Sequence, residues 1–447
     1  MPDTISLWSF SEYEITIPRG LAHSLNTFAE SYGHKIEWVD NREYDTDAYV
    51  HAFANKIDVR DYQEEAIQKI LNGQQGYWKS PPGSGKTVAI LEAIRRSGQF
   101  AIVIVNTTNI AEQWRQRARQ YLGPDVKIGL MGDGQDDMQP ITIAMQQSLW
   151  SRASGLDSIG FFDCFGFVCL DECHHLPAET FTDILSRFSA KYRIGVSGTP
   201  NKNKAWKPLV DATLGPQIHE TKKDLLVQQG WLVKPSIEAY YTGFTHSFFS
   251  THEHFGYRQN KKCFEPGCTR PDDKKRHQNN YSDVISALVN DKNRNEIIVK
   301  NIVKDLNDGH CVLVLSKRLQ HLRDLKDAVN YNAQAWSHHT YMLTGKESTE
   351  FRMAVAEYAD NGTCVIFSTL ADEALDIPRI DRIHLAFPGR NDDLIRQQIG
   401  RGERPHPDKM DVICYDYVDS CGPLQNQYRE RVRNVYNEEG LIVNERK

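Results

Sequence analysis

The chain has 447 residues, of which 40% are apolar and 25% charged, and its net charge is −6 at neutral pH. This length predicts about two to four domains with large cores, and the composition is ordinary for a globular protein. The acidic balance excludes a global basic field, so any binding of nucleic acid has to use local basic patches.

The first segment, residues 1–55, is predicted to form a small α+β unit. Residues 14–17 alternate as a strand does, residues 21–32 carry helical spacing, and Gly33 ends that helix. Residues 35–40 alternate again and are predicted to form a returning strand. We expect a small accessory domain here, ahead of the rest of the chain.

A glycine-rich loop follows at residues 80–87, with the sequence SPPGSGKT. It comes after a short apolar run and opens a helical pattern at residues 88–94, which is the strand–loop–helix context of a phosphate-binding loop. The glycines let successive amides point at phosphate oxygens, and the helix N-terminus adds positive potential. Lys86 is predicted to reach the outer phosphates and Thr87 to hold Mg²⁺. The predicted nucleotide contacts are Pro82, Gly83, Ser84, Gly85, Lys86 and Thr87.

An acidic pair, Asp171 and Glu172, ends the apolar run at residues 165–170. Paired carboxylates at the end of a buried strand need a partner such as a metal ion. We expect Asp171 to bind Mg²⁺ through water and Glu172 to orient or deprotonate an attacking water. The loop and the acidic pair together predict hydrolysis of a nucleoside triphosphate.

Apolar strands alternate with amphipathic helices along the rest of the chain. The predicted strands of the first series are residues 100–105, 141–145, 165–170 and 192–196, and those of the second are residues 311–315, 341–343, 364–367, 382–386 and 412–415. Strands that are apolar throughout favour parallel sheets covered on both faces. The sequence therefore predicts an α/β protein with two lobes in tandem.

The segment at residues 246–280 is polar, basic and poor in strand signals, and is predicted to be an insertion or long loop. It contains Cys263 and Cys268, with His252, His254 and His277 nearby, but the spacing is too loose to predict a zinc site. Its lysines, arginines and aromatics fit either a DNA-contacting loop or a solvated surface.

The nine cysteines suggest no disulfide framework, which fits a reducing cytosol, so we expect a cytoplasmic protein. The N-terminus lacks a secretory pattern, and no apolar run approaches the length of a membrane span.

In their order along both lobes, these motifs resemble those of superfamily 2 helicases and translocases. The resemblance covers residues 59 to the end, and it is greatest to the UvsW-like, branch-remodelling DNA helicases of phages and the repair translocases with a DECH or DEVH box. It implies two RecA-like domains, at residues 56–222 and 223–447, behind the small N-terminal domain. It also implies ATP, Mg²⁺ and branched or forked DNA as ligands, and we expect a monomer or weak self-association.

The resemblance also assigns roles to single residues. Arg60 and Gln63 match the adenine-reading segment, and Thr107, Thr108 and Thr142 match positions that contact the DNA backbone. Trp114, nearby, fits core packing better. His174, Ser197 and Thr199 match the motif that couples hydrolysis to movement.

In the second lobe, Thr369 matches a phosphate contact and Asp376 a ribose contact, although Ala374 stands where the family has glycine. Gln397, Arg401 and Arg404 match the arginine-finger motif, with Gln397 near the attacking water.

The resulting hypothesis is an ATP-dependent DNA helicase or translocase that remodels branched DNA. The two lobes would close on ATP and part after hydrolysis, which would move the strand held by both. Three alternatives stay open at this point: an RNA helicase, the motor subunit of a restriction complex, and a non-hydrolysing ATP switch that clamps nucleic acid.

Overall fold

The computed structural model describes residues 9–41, 55–173, 179–198, 207–246, 273–369 and 377–446, with the backbone alone for Phe10, Glu179, Phe181, 273–280 and Thr349. The chain divides into two compact units, Met1–Gln229 and Gly230–Lys447. We call them unit 1 and unit 2.

Unit 1 begins with a small antiparallel pair, β1 (Ser9–Phe10) and β2 (Ile15–Thr16). A 3₁₀ turn, Arg19–Leu21, leads into α1 (Ala22–Ser31). The strand predicted at residues 35–40 is wrong, because that described segment has no regular secondary structure. Alternation marks a strand only where a neighbour completes the hydrogen bonds, and here it leaves Val39 74% exposed.

The main sheet of unit 1 has eight strands in the order β10-β3-β9-β8-β4-β7-β5-β6, all parallel except the pair β5–β6. The strands are β3 (Gln75–Lys79), β4 (Ala101–Val105), β5 (Ile128–Gly132), β6 (Gln135–Asp137), β7 (Ile141–Met145), β8 (Phe167–Asp171), β9 (Tyr192–Ser197) and β10 (Gln217–Glu220). The helices are α2 (Asp61–Gly73), α3 (Lys86–Ser97), α4 (Thr108–Leu122), α5 (Gln146–Ser151), α6 (Ala153–Ser158), α7 (Glu179–Arg187), α8 (Lys207–Thr213) and α9 (Lys223–Gln228).

Unit 2 contains a seven-stranded sheet, entirely parallel, in the order β13-β14-β12-β15-β16-β11-β17. The strands are β11 (Ser236–Tyr241), β12 (Cys311–Leu315), β13 (Thr340–Leu343), β14 (Cys364–Ser368), β15 (Arg382–Leu385), β16 (Ile413–Val418) and β17 (Ile442–Arg446). The helices are α10 (Asp273–Val289), α11 (Lys292–Asn307), α12 (Leu319–Asn332), α13 (Thr349–Asn361), α14 (Asp392–Gly400) and α15 (Gly422–Arg431), and a π-helical turn, Val432–Tyr436, follows α15.

Both sheets are covered on both faces, as the continuous apolar strands require. In β4, Val103 packs in one core cluster of unit 1 and Ile104 in the other. In β12, Leu313 and Val314 divide in the same way between two clusters of unit 2. The prediction of an α/β chain with two tandem parallel-sheet domains is confirmed.

The parallel order brings the carboxyl ends of the strands to one edge of each sheet. In unit 1 the phosphate loop follows β3, Thr107 follows β4, Asp171 ends β8 and Ser197 ends β9. Residues far apart in sequence are thereby gathered at one edge, which is where a ligand is expected in such a sheet.

Within the described ranges, no helix is both long and apolar enough to cross a bilayer.

The insertion predicted at residues 246–280 lies mostly outside the described residues, at 247–272, and its last part begins helix α10.

Candidate active site

The phosphate loop joins β3 to α3 and bends at two glycines. Gly83 and Gly85 have φ of 76° and 75°, in the left-handed region that side chains with a Cβ rarely adopt. Gly85 is also the N-cap of α3, and a Cβ at this position would lie 2.5 Å from Nε2 of Gln63. The loop is thus a tight turn that presents the N-terminus of α3, which suits an anion.

Lys86 lies across this loop. Its Nζ donates to the carbonyl oxygens of Ser80, at 3.1 Å, and Pro81, at 3.4 Å. The buried hydroxyl of Ser80 donates to the hydroxyl of Ser84 at 2.7 Å. Ser80, which stands where the strict motif has glycine, therefore closes the base of the loop through its side chain.

The acidic pair lies at the end of β8. The buried indole of Trp114 donates to Oδ2 of Asp171 at 2.7 Å, and the backbone N–H of Glu172 donates to Oδ1 at 3.0 Å. Glu172 itself has a φ of 48°, so the chain turns sharply immediately after the strand. The two contacts fix the orientation of the Asp171 carboxylate. The turn changes the direction of the chain at Glu172, directly after the strand.

Ser197 connects the acidic pair to the phosphate loop. Its hydroxyl donates to Oε2 of Glu172 at 3.0 Å, and its carbonyl accepts from the backbone N–H of Ser80 at 3.0 Å. A displacement of either partner therefore changes the hydrogen bonds of this residue.

The charge of Asp171 depends on these neighbours. Burial and the nearby Glu172 raise the pKa of Asp171 to about 6, and the Trp114 hydrogen bond and Lys86 oppose the rise. A cation beside the two carboxylates would oppose both effects on the pKa, because it favours the charged form of Asp171. Together with the hydroxyl of Thr87, these oxygens are the hard ligands that Mg²⁺ takes, so the residues fit a magnesium ion bound with a triphosphate.

The predicted adenine-reading residues contact the loop directly. Nε2 of Gln63 donates to the carbonyl oxygens of Ser84, at 3.2 Å, and Gly85, at 3.3 Å, and Oε1 of Gln63 accepts from the backbone of Arg60 at 2.9 Å. Tyr62 also donates to the Ser84 carbonyl, at 2.7 Å, and accepts from Arg60 at 3.0 Å. The start of α2 is thereby fastened to the phosphate loop. Contact with adenine stays a prediction.

The three predicted DNA contacts of unit 1 differ in their surroundings. Thr107 caps α4 by accepting from the backbone of Ile110, and Thr108 begins that helix. Thr142 is fully buried, and its hydroxyl both donates to and accepts from the backbone of Gln139, at 2.7 Å and 3.0 Å. These bonds give Thr142 a structural role in the loop before β7.

In unit 2, Thr369 follows β14 and donates to the carbonyl of Thr344 at 3.3 Å. Gln397 is half-buried on α14, and Arg401 is the C-cap of that helix. Arg404 lies three residues farther on, in a loop that Lys409 contacts. His174, Thr199 and Asp376 lie outside the described residues.

Two contributors to this site were not predicted from the sequence: Tyr62 and Trp114, both as hydrogen-bond donors. The position of Tyr62 next to Gln63 is a signal that could have been used. Trp114 is 57 positions from Asp171, so only the order of the strands reveals their contact. Among the described residues, no cluster of three or more His, Cys, Asp or Glu side chains is arranged to hold a metal ion by itself.

Comparison with known proteins matches this chain to a family model, to curated proteins and to solved structures. The family model described as "Type III restriction enzyme, res subunit" matches residues 56–202. The "Probable helicase D10" of Escherichia phage T5 is 26% identical over 434 residues, covering 92% of this chain and 81% of that protein.

The "DNA 3'-5' translocase XPB2" of Sulfurisphaera tokodaii is 29% identical over 191 residues. That match covers 43% of this chain and 42% of the relative, so it spans less than half of either. The solved structure of S. cerevisiae Dbp5 bound to RNA and ADP BeF3 has a TM-score of 0.56 at 11% identity, covering 86% of this chain and 89% of that one. At such low identity, the likeness to Dbp5 extends to the fold alone.

Proposed function

We propose that this chain is a superfamily 2 helicase with an ATP-hydrolysing core, and that it uses ATP to move along DNA and to unwind or branch-migrate forks and junctions. The observation that carries the proposal is the joined cluster of unit 1, in which Lys86, Asp171, Glu172 and Ser197 are gathered around the phosphate loop. Matches to proteins named as a DNA translocase and a phage helicase support the substrate class.

In the proposed reaction, Lys86 binds the outer phosphates, and the N-terminus of α3 attracts them. Thr87 and Asp171 would hold Mg²⁺, which supplies charge neutralisation of the triphosphate. Glu172 orients the attacking water and accepts its proton. Trp114 keeps the Asp171 carboxylate in place, because its buried N–H donates to Oδ2 at 2.7 Å.

Unit 2 is proposed to supply Arg401 and Arg404, whose guanidinium groups suit the charge that spreads over phosphate oxygens during transfer. Gln397 would assist the water and Asp376 the ribose. Arg60 and Gln63 would read the adenine.

DNA would be held through its backbone. Thr107 and Thr108, at the start of α4, and Thr369, after β14, are proposed phosphate contacts because hydroxyls and helix N-termini suit phosphate oxygens. Ser197, with His174 and Thr199, would couple hydrolysis to movement. The two bonds of Ser197, to the acidic pair and to the loop, support this role.

The first experiment measures ATP turnover with and without single-stranded DNA. We expect DNA to stimulate the wild type, and Lys86→Ala and Glu172→Gln to abolish turnover. Lys79→Ala is the matched control, because Lys79 lies at the end of β3 and is paired with Glu220 at the surface. A turnover rate that DNA leaves unchanged would remove the translocase proposal, and DNA binding that persists with no ATP turnover in the wild type would support the non-hydrolysing clamp.

The second experiment tests the branched substrate. Forked DNA, a four-way junction, blunt duplex and RNA are compared at equal nucleotide concentration with ATP. We expect the fork and the junction to be unwound and to stimulate turnover more than the duplex does. Equal stimulation would remove the preference for branches, and unwinding of RNA alone would assign the chain to RNA.

A further inference from the structure

The loop that follows α14 carries both proposed catalytic arginines and is fixed at several points. Gly402 packs so closely that a Cβ would lie 2.6 Å from Cγ1 of Val412. The carbonyl of Glu403 accepts from the backbone N–H of Val233 at 2.7 Å. These contacts hold the middle of the loop between Arg401 and Arg404.

Lys409 supplies the remaining contacts from within the same segment. Its Nζ donates to the carbonyl of Gly402 at 2.9 Å and to the carbonyl of Arg404 at 2.8 Å. Its own backbone N–H donates to the carbonyl of His406 at 3.0 Å. One ammonium group therefore joins the carbonyl of Gly402, the residue after Arg401, to the carbonyl of Arg404.

Burying this ammonium group costs free energy. Lys409 is only 8% exposed, and in the described part of the chain no carboxylate lies within ion-pair distance of its Nζ. Asp381 is the acid that attracts it most, but that carboxylate is engaged by Arg379 and His310, at 2.6 Å and 3.0 Å. Arg379 and Arg404 add repulsion. A buried charge with only neutral acceptors lowers stability relative to an apolar residue of the same size, so stability does not explain it.

We propose that Lys409 is a positioning residue for hydrolysis: by bridging the carbonyls of Gly402 and Arg404, it holds Arg401 and Arg404 in the arrangement that acts on the triphosphate. Lys409 does not touch the nucleotide in this role. The inference rests on the proposed function of the two arginines.

The test uses Lys409→Met, which keeps the length of the side chain and removes the donors. We expect kcat for DNA-stimulated ATP turnover to fall about tenfold to a hundredfold, with KM for ATP within about twofold of the wild type. The thermal midpoint should stay equal or rise, because the buried charge is gone. Lys300→Met, at an exposed position on α11, is the matched control and should leave all three values unchanged.

A double-mutant cycle separates positioning from a general weakening. In the background of Arg404→Ala, adding Lys409→Met should cost much less than it costs in the wild type, because the arginine it positions is already absent. If Lys409→Met does not fold, Lys409→Gln, which removes the charge but keeps an N–H donor, takes its place in the cycle.

An unchanged kcat in a folded Lys409→Met variant would overturn the inference. So would a double variant in which the fold-losses in kcat of Lys409→Met and Arg404→Ala simply multiply. A wild type without DNA-stimulated turnover would instead overturn the proposed function, so the two failures are distinguishable.

Discussion

At the scale of single residues, the site depends on side chains that hold others in place. Trp114 orients Asp171, Tyr62 and Gln63 hold the phosphate loop, and Ser197 joins that loop to Glu172. The residues expected to act on ATP could be named from the sequence, because their motifs are local and ordered. Their supports could not, because the contacts join segments that only the fold brings together.

Lys409 gives a prediction about pH. Burial lowers the pKa of Lys409 from 10.5 to about 8, while the unfolded chain keeps the ordinary value. Between these two pH values the unfolded chain binds more protons, so the contribution of Lys409 to stability becomes more favourable as pH rises. The free energy of unfolding of the wild type, minus that of Lys409→Met, should therefore rise by at most about 3 kcal/mol from pH 8 to pH 10.5.

Denaturant titrations of both proteins at several pH values measure this difference. Taking the difference cancels the titration of all groups that the two proteins share. Lys300→Met, at an exposed position on α11, serves as the control for the loss of one lysine. A difference that falls with pH would contradict the buried, unpaired charge.

At the scale of helices and strands, success of prediction followed burial. The nearly continuous apolar runs of β4, β7, β8 and β12 were recognised, because a central strand buried on both faces has few polar positions. Three of the missed strands, β6, β10 and β17, lie at sheet edges and are largely polar and exposed. Two others, β5 and β11, were missed although they lie inside their sheets, and β5 contains two glycines, which weaken the strand pattern.

The N-terminal element is attached to unit 1 by a close backbone approach. A Cβ at Gly20 would lie 2.2 Å from the carbonyl oxygen of Asp211 and 2.3 Å from that of Ala212, both in α8. Arg19 adds hydrogen bonds to the carbonyls of Ala190 and Lys191. The turn before α1 is thus fixed by glycine, because no side chain fits there.

We expect Gly20→Ala to loosen this attachment, since the backbone of α8 cannot yield as a flexible side chain could. The cost should be about 1–3 kcal/mol, as for other overpacked sites. Hydrogen exchange should show faster exchange at the amides of α1 and unchanged exchange in β4. Gly155→Ala is the control for a lost glycine in open space, and equal effects of the two variants would contradict the steric explanation.

At the scale of the whole molecule, each unit has its own sheet and its own apolar clusters. Units with separate cores can unfold in separate steps. The phosphate loop and the acidic pair both lie in unit 1. A ligand that binds there in the folded state stabilises the unit that holds it.

We therefore expect calorimetry to resolve two transitions, with Mg²⁺ and ADP raising the midpoint of one of them by several degrees more than the other. Lys86→Ala should abolish that shift and keep both transitions. The transition that shifts can be assigned to unit 1 by hydrogen exchange during heating. A single transition, or equal shifts of both, would contradict independent cores.

The two serines of the phosphate loop limit how this chain can evolve. Restoring glycine at position 80, as the common motif has it, would leave the hydroxyl of Ser84 buried and without its partner, at a cost of about 1–3 kcal/mol. Replacing Ser84 alone would leave the Ser80 hydroxyl buried without its partner in the same way. Only a simultaneous exchange of both serines avoids an unpaired hydroxyl, so the presence of Ser84 favours the retention of Ser80.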